Sequence, residues 1–501
     1  MKIEKNKRQF FIALIIGAVA FFFSSGNFNI FLTAWIWPAA FLFCVRNGGF
    51  KRSNLILFGV MFVTGALKWL GLTDCGVLLD FIFNLFVFLV PALSLFIEQK
   101  ICKAGDELWK SPFGIFIFPS VFTALAFFAT LTPIGTMGAL ANTQGCFHPI
   151  ASLTSVIGFF GLTFLMTWFA SLAERWVSAI LDGQKDARPV KNTYAYLTAV
   201  VVIAAVCAVS SLTQPTNESN TVRMALAVGA QLEKYDDGTY EELSLEDDMA
   251  RFDKTMADAK ATGAEIIVFN EESYTVFAGM EEAAFVAHAR EKAEETGMYI
   301  LVPLEIDPET EDGLYGNRMY LIAPDGDIIA QYNKCHLVPL IEAGFQSGDK
   351  APLSADLQFS GGRTVSIASG ICFDSDYPLY FDKIDPDTDV LLVPSWDWKA
   401  LENYHSYSVT LRSIEHGAAL LKPTYDGLCN VTDCRGNWLS CFNSLETGGD
   451  HVEATDVPVD GIKTPYAAVL YVFDYVYPVL PLFFIAELLL RKRKAKLTEA
   501  E

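Results

Sequence analysis

The hydrophobic pattern of the chain changes character twice. Unbroken apolar stretches, each long enough to span a bilayer, run near residues 9–25, 28–46, 54–72, 76–97, 113–132, 151–173 and 193–213, and an eighth runs from about 466 to 490. Between the seventh and the eighth the pattern breaks into short β-prone runs alternating with amphipathic stretches. "VRMALAVGAQ", from Val222, reads as a strand. "LEDDMARFDKTMADAKATG" reads as a helix that starts acidic and closes at Gly263. "AEIIVFNEES" is a buried strand, "MEEAAFVAHAREKAEETG" a second helix and "MYILVPLEI" the strand after it. "RMYLIAPDGDIIAQYNK" predicts a hairpin through the Asp-Gly pair at 325–326. "TVSIASGIC", "DVLLVPSWDW", a helix around 403–417 and "AALLKPTYDGLCNVTDCRGNW" complete the series. Strands alternating with helices predict an α/β layered domain.

The charges sort with this pattern. Lys2, Lys5, Lys7 and Arg8 precede the first apolar run, and Arg46, Lys51 and Arg52 follow the second. Lys100, Lys103 and Lys110 follow the fourth, Arg175, Lys185, Arg188 and Lys191 the sixth, and Arg491 to Lys496 the eighth. The intervening loops "SSGN", "GLTDCG" and "TPIGTMGALANTQGCFHPI" carry no Lys or Arg. Cationic loops stay cytoplasmic, so both termini are expected inside and the middle domain on the opposite side of the membrane. The first run ends in "FFFSSGNFN", without a small-x-small cleavage site, and six more runs follow it before the middle domain. It therefore reads as a retained span rather than a removed leader.

Composition agrees with a split chain. The 501 residues are 52% apolar yet carry a net charge of −21. Residues 215–463 hold 45 acidic and 17 basic side chains, so the charge resides in the middle domain. The expected organisation is a seven-span membrane domain over 1–215, a water-soluble domain over 216–463, and a final transmembrane helix with a basic tail over 464–501. An acidic domain is unsuited to nucleic acid, and no Gly-rich phosphate loop is present. Of the ten cysteines, Cys75 and Cys146 lie in outer loops where pairing is conceivable, and Cys429, Cys434 and Cys441 cluster late in the soluble domain. No CxxC pair or nearby His spacing points to zinc, so neither metal nor cofactor is expected.

Three strand ends carry candidate chemistry. Glu271 closes "IIVFNE", Lys334 follows "DIIAQYN", and Cys372 follows "TVSIASGI". Active groups of α/β domains gather where strands end and loops begin. A free thiol has a pKa of about 8.5, so little of it is thiolate at neutral pH. A neighbouring ammonium is expected to lower that pKa, a carboxylate to take the proton, and the same ammonium to hold the charge of a tetrahedral intermediate.

The ordered set Glu271, Lys334 and Cys372 resembles the nitrilase superfamily. More narrowly, "YNKCHLVPLIE" is similar to the Y-x-K-x-H-L-V-P-F-G-E block of the apolipoprotein N-acyltransferase family. "IASLTSVIGFFGLTFL" resembles that family's membrane-domain signature, and "TPYA" at 464–467 the start of its last span. Seven spans, an outward nitrilase domain and one closing span are also that family's layout. The resemblance implies a multi-pass α-helical membrane domain with an αββα sandwich, a Glu-Lys-Cys triad, and Glu342 as a second essential carboxylate. It implies transfer of an acyl chain from a phospholipid to the N-terminal amine of a diacylglyceryl-cysteine lipoprotein, through a thioester on Cys372. Glu271 would then be the general base, Lys334 the oxyanion holder, and Glu342 the group that orients Lys334 or the amine. The implied setting is a bacterial inner membrane, with the catalytic domain extracytoplasmic and the protein a monomer.

Departures from the family pattern cluster around these residues. Phe269-Asn270-Glu271 stands where the family has Trp-Pro-Glu, and Glu272 follows directly. Phe373 and Asp374, expected to support the nucleophile, replace Tyr-Glu and resemble the soluble amidases of the superfamily. "PSWDW", residues 394–398, replaces Ser-Asn-Asp-Ala-Trp. Its Trp396 and Trp398 are candidates for a lipid cleft, for the membrane interface, or for ordinary packing. Cys335 is expected to face away from Lys334 if the strand continues there. Lys68 and Asp80 fit a structural role inside the spans, and Arg412 with Glu415 reads as a structural ion pair. Two other readings compete: a membrane-tethered amidase with the same triad, and a scaffold whose nitrilase domain is inactive.

Overall fold

The computed structural model describes residues 2–26, 28–72, 76–104, 111–184, 188–214, 216–217, 219–229, 243–310, 312–348, 350–447 and 450–498. Residues 1–212 with 469–501 form one compact unit, and residues 213–468 form a second.

The first unit is helical. Its long elements are Lys2–Phe22, Thr33–Asn47, Ser53–Lys68, Val77–Ala104, Ile117–Ala129, Thr154–Leu181, Val190–Thr213 and Leu480–Thr498, one at each apolar run of the sequence. Among the described residues, five helical stretches are long and apolar enough to cross a membrane: Val77–Ile101, Pro112–Ala129, Thr154–Leu181, Val190–Thr213 and Leu470–Arg491. In Val190–Thr213 only Tyr196 is buried. A 24-residue apolar surface of that kind is at rest in lipid, where a helix satisfies its own backbone. Arg46 departs from its reading as a loop charge. It lies inside Thr33–Asn47 with its guanidinium buried, 2.6 Å from Glu98 and paired also with Glu174. Lys68 donates to Ser25 Oγ at 2.7 Å, and Asp80 accepts the Gly71 N–H at 2.8 Å, so both have structural partners. Cys75, the suggested partner of Cys146, and the loop charges Lys110 and Lys185 lie outside the described residues.

The second unit is an αββα sandwich. One sheet has the order β15-β1-β2-β4-β5-β6, with β3 also on β4. Its strands are β1 (Thr221–Val228), β2 (Ile266–Phe269), β3 (Tyr274–Phe277), β4 (Tyr299–Asp307), β5 (Gly316–Ile322), β6 (Ile328–Asn333) and β15 (His451–Pro458). The other has the order β14-β13-β11-β9-β8-β7, from β7 (Leu353–Phe359), β8 (Arg363–Ser369), β9 (Val390–Leu392), β11 (Ala419–Lys422), β13 (Leu428–Thr432) and β14 (Trp438–Asn443). A short parallel pair, β10 (Ser395–Trp396) with β12 (Thr424–Tyr425), sits beside them.

Local sequence explains the outer helices. Ser244 caps Leu245–Ala261 by accepting the Asp247 N–H, and three acidic residues fill the first turn, where the helix dipole favours them. Met280–Thr296 ends on Gly297 at φ 67°, a left-handed cap. Phe252, Met256, Phe285 and Ala289 from these two helices pack on Ile267, Phe269 and Ile300 of the first sheet. Helix Glu402–His416 lies on the second sheet, with Arg412 and Glu415 joined at 2.8 Å inside it. Cys429, Cys434 and Cys441 are all free thiols. Cys429 stands opposite Phe442 and Cys441 opposite Asn430, so the one-residue offset turns the two thiols to opposite faces of the sheet.

Candidate active site

β2, β6 and β8 end at one place. Past β2 comes Glu271, past β6 Lys334, and three residues past β8 Cys372, all buried. Lys334 Nζ lies 2.7 Å from Glu271 Oε1 and 2.8 and 3.0 Å from the two oxygens of Glu342. The Glu271 carboxylate accepts two further bonds, from Asn317 Nδ2 at 2.7 Å and from the Trp396 main-chain N–H at 2.8 Å. The same Trp396 residue offers its carbonyl to Cys372 Sγ at 3.6 Å. One residue of β10 therefore touches both the carboxylate and the thiol.

Cys372 itself occupies the left-handed region, at φ 44°. A non-glycine residue held there is unfavourable by about 1–3 kcal/mol and persists only when its surroundings fix it. They do so here: Cys372 N–H bonds to Pro394 O at 2.8 Å, and Asp374 accepts the Ile371 N–H at 3.0 Å. Gly370 completes the bend, since a Cβ there would stand 3.2 Å from that of Asp374. The thiol is thus presented on a sharp turn between β8 and the short helical turn Cys372–Asp376.

Electrostatics define the resting state. Burial and the Glu271 charge push the Cys372 thiol well above its ordinary pKa, outweighing Lys334, which pulls the other way. The ammonium therefore acts in the expected direction but does not by itself leave the thiol acidified. Burial would lower the Lys334 pKa, but Glu271 and Glu342 hold it well above its usual value. Lys334 is a fixed cation.

The remaining candidates divide. Glu342 joins the cluster through Lys334. Asp374 is fully buried and accepts bonds from Tyr332 Oη at 2.7 Å and from His336 N–H at 2.8 Å. Phe373 is buried, with its ring edge-on to Tyr377 at 5.5 Å. The ring of Trp396 packs with Val228, Tyr425 and Cys429, so it reaches the site by its backbone. Trp398 is half-buried, one residue beyond Asp397. Cys335 lies past the end of β6, with its sulfur 4.0 Å from His336 Nε2.

A second buried network escaped the sequence reading. Asp397 bonds His405 Nδ1 at 2.5 Å and Lys422 Nζ at 2.7 Å, and His405 Nε2 lies 3.2 Å from Asp376. Sulfur, carboxylate and imidazole atoms of Cys372, Asp397 and His405 all lie within 4.8 Å of one another. Burial would lower the His405 pKa, but Asp397 and Asp376 raise it to about 9. The one available signal was an aspartate between two tryptophans just after a strand. Carboxylates of both clusters are already bonded to Lys334, Lys422 and His405 of this chain.

Comparison with known proteins gives a consistent set of likenesses. The carbon-nitrogen hydrolase family model matches residues 208–424. An apolipoprotein N-acyltransferase of Geobacter metallireducens is 23% identical over 469 residues, covering 86% of each chain. Apolipoprotein N-acyltransferase 2 of Treponema denticola is 27% identical over 205 residues, 36% of this chain and 38% of that protein. The matched segment thus spans less than two thirds of the latter's length. Among solved structures, an amidase from Nesterenkonia sp. is similar over 51% of this chain and 95% of its own, at 18% identity and a TM-score of 0.39.

Proposed function

We propose that the chain is a member of the apolipoprotein N-acyltransferase family of the carbon-nitrogen hydrolase (nitrilase) superfamily, and that it moves an acyl chain from a phospholipid to the N-terminal amine of a diacylglyceryl-cysteine lipoprotein. The observation that carries the reading is the bridge at Trp396. It holds Glu271 through its N–H and Cys372 through its carbonyl, with Lys334 seated on Glu271.

Glu271 takes the Sγ proton as the sulfur attacks the ester carbonyl of the donor. The oxyanion forms beside the Lys334 ammonium, which Glu342 keeps in place. The ester C–O bond then breaks, the departing lysophospholipid oxygen takes the proton back from Glu271, and an acyl thioester remains on Cys372. In the second half the acceptor's neutral amine attacks the thioester carbonyl. The new N–C bond forms, the S–C bond breaks, and a proton passes from nitrogen through Glu271 to the sulfur. Splitting the transfer into two displacements makes each easier than a direct one. The loop charges favour an extracytoplasmic catalytic domain with both termini cytoplasmic.

The test is the intact mass of the full-length protein after exposure to phospholipid, beside Cys372→Ala. An acyl-sized gain on the parent alone, cleared by a diacylglyceryl-cysteine peptide that becomes N-acylated, supports the transferase. A gain cleared by water but not by the peptide would instead favour a hydrolase.

A further inference from the structure

Glu272, Glu305 and Asn317 make a second set of groups beside the triad. Glu272 follows Glu271 directly and lies in the left-handed region at φ 50°, which turns its side chain back toward the site. Asn317 Nδ2 donates to Glu271 at 2.7 Å and to Glu272 at 2.9 Å, so one amide ties the two carboxylates together. Oxygens of Glu271, Glu272 and Glu342 all lie within 4.8 Å of one another. Glu305 stands directly opposite Asn317 in the β4–β5 register, and cross-strand partners share a face of the sheet.

The charges there do not balance. Among the described residues, the groups facing Glu272 are the carboxylates of Glu271, Glu305 and Glu342 and the ammonium of Lys334, with Asp307 beyond Glu305. Lys334 is bonded to Glu271 and Glu342. Burial and the neighbouring carboxylates raise Glu272 well above the ordinary carboxylate range against the pull of Lys334, and burial with Asp307 raises Glu305 to about 7. A separate observation points to a missing donor: Asn317 is 1% exposed, and among the described residues its Oδ1 has no hydrogen-bond partner. Glu272 and Glu305 are only half-buried, so the cluster has a solvent side.

We infer that Glu272, Glu305 and the Asn317 carbonyl form the seat of the acceptor's protonated amine, and that Glu272 removes its first proton. An ammonium has three N–H donors, matching two carboxylates and one amide oxygen. The step balances: R–NH3⁺ and the Glu272 carboxylate give R–NH2 and the carboxylic acid, whose proton later leaves to solvent. Nitrogen then attacks the thioester, and its second proton follows the Glu271 path to sulfur. The inference rests on the transferase reading and assigns the proton transfer that must precede the second half-reaction.

The test compares two nucleophiles on the preformed thioester of the full-length protein. One is the diacylglyceryl-cysteine peptide, cationic at neutral pH, and the other is hydroxylamine, which is uncharged there. In Glu272→Gln the ratio of peptide clearance to hydroxylamine clearance at pH 7 is expected to fall by about 10–100-fold, the scale of a lost general base. The deficit should close as pH rises and solvent supplies free amine. Glu305→Gln should lower the ratio less, and Glu272→Asp should restore part of it. An unchanged ratio in Glu272→Gln overturns the inference. If the parent thioester yields to hydroxylamine but never to the peptide, the transferase reading itself fails, a result distinguishable because it appears without any mutation.

Discussion

His336 donates twice to Asp374, from its main-chain N–H at 2.8 Å and from ring Nδ1 at 2.9 Å. Two segments distant in sequence are locked by this contact: the loop that begins with Lys334 and the turn that presents Cys372. The lock is sealed by the His336 ring, which stacks on Tyr377 at 3.6 Å. Asp374 therefore fixes the spacing between Lys334 and Cys372.

Asp374→Asn is expected to disturb that spacing. The buried carboxylate receives N–H or O–H donors from Ile371, Tyr332 and His336. An amide would aim its own NH2 at one of them and leave a buried donor unsatisfied, at about 1–3 kcal/mol. For a domain of this size that is a fall of roughly 2–4 °C in melting temperature per kcal/mol. Thermal unfolding and thioester yield should both drop in the variant. A stable protein with full thioester yield would remove Asp374 from this role.

Lys334→Met should abolish thioester formation more completely than it lowers stability. The substitution strips the cation from between Glu271 and Glu342, leaving two carboxylates close together. One of them then protonates, which limits the structural damage. Losing one oxyanion donor alone costs about 10²–10³ in rate, so acylation followed by intact mass should slow by at least that factor. A variant that acylates at the parent rate would refute the role given to Lys334.

The Asp397–His405 pair should give the domain an alkaline limit. Asp397 raises the folded pKa of His405 to about 9, above the ordinary imidazole value near 6.5. A group raised in this way stabilises fully below its unfolded pKa, and the contribution fades as pH climbs through the folded one. The parent should therefore lose melting temperature between pH 7 and 10 more steeply than His405→Gln does. At pH 7 the variant should be the less stable of the two, and near pH 10 the curves should converge. Parallel curves across that range would mean that His405 is not held as an imidazolium.

How much of this was legible in the sequence depended on where each residue sits. Glu271, Lys334 and Cys372 were conspicuous because each is a polar residue directly after an apolar run, and the structure brings the three together. Helices such as Leu245–Ala261 and Met280–Thr296 were legible from caps and a glycine stop. β7 and β15 were not foreseen, since both are sheet edges in which polar residues interleave with apolar ones, so neither forms the continuous apolar run that marks the central strands. The Asp397, His405 and Lys422 network was hidden for another reason. Its members come from β10's loop, helix Glu402–His416 and β11, and only folding sets them side by side. Arg46 misled because a cation after an apolar run looks like a solvated loop charge, whereas the partners that bury it lie in two other helices.

Glu305→Gln is expected to stabilise the protein above neutral pH while weakening transfer. The folded pKa of Glu305 stands at about 7, raised from the ordinary carboxylate value mainly by burial and then by Asp307. Raised acids favour the folded state fully below their unfolded pKa and lose that contribution as pH rises through the folded value. At pH 8 the parent therefore keeps Glu305 ionised against its surroundings, a penalty on the order of 1–3 kcal/mol. Glutamine removes the charge and keeps the hydrogen-bonding shape, so the variant should melt higher than the parent at pH 8 and near it at pH 5. Active sites hold such unfavourable charge because the ligand relieves it. The acceptor's ammonium is the group assigned that task here, and the same variant should clear the peptide more slowly relative to hydroxylamine. Higher stability at pH 8 with an undiminished peptide ratio would separate the two effects and leave Glu305 as strain without a use in transfer.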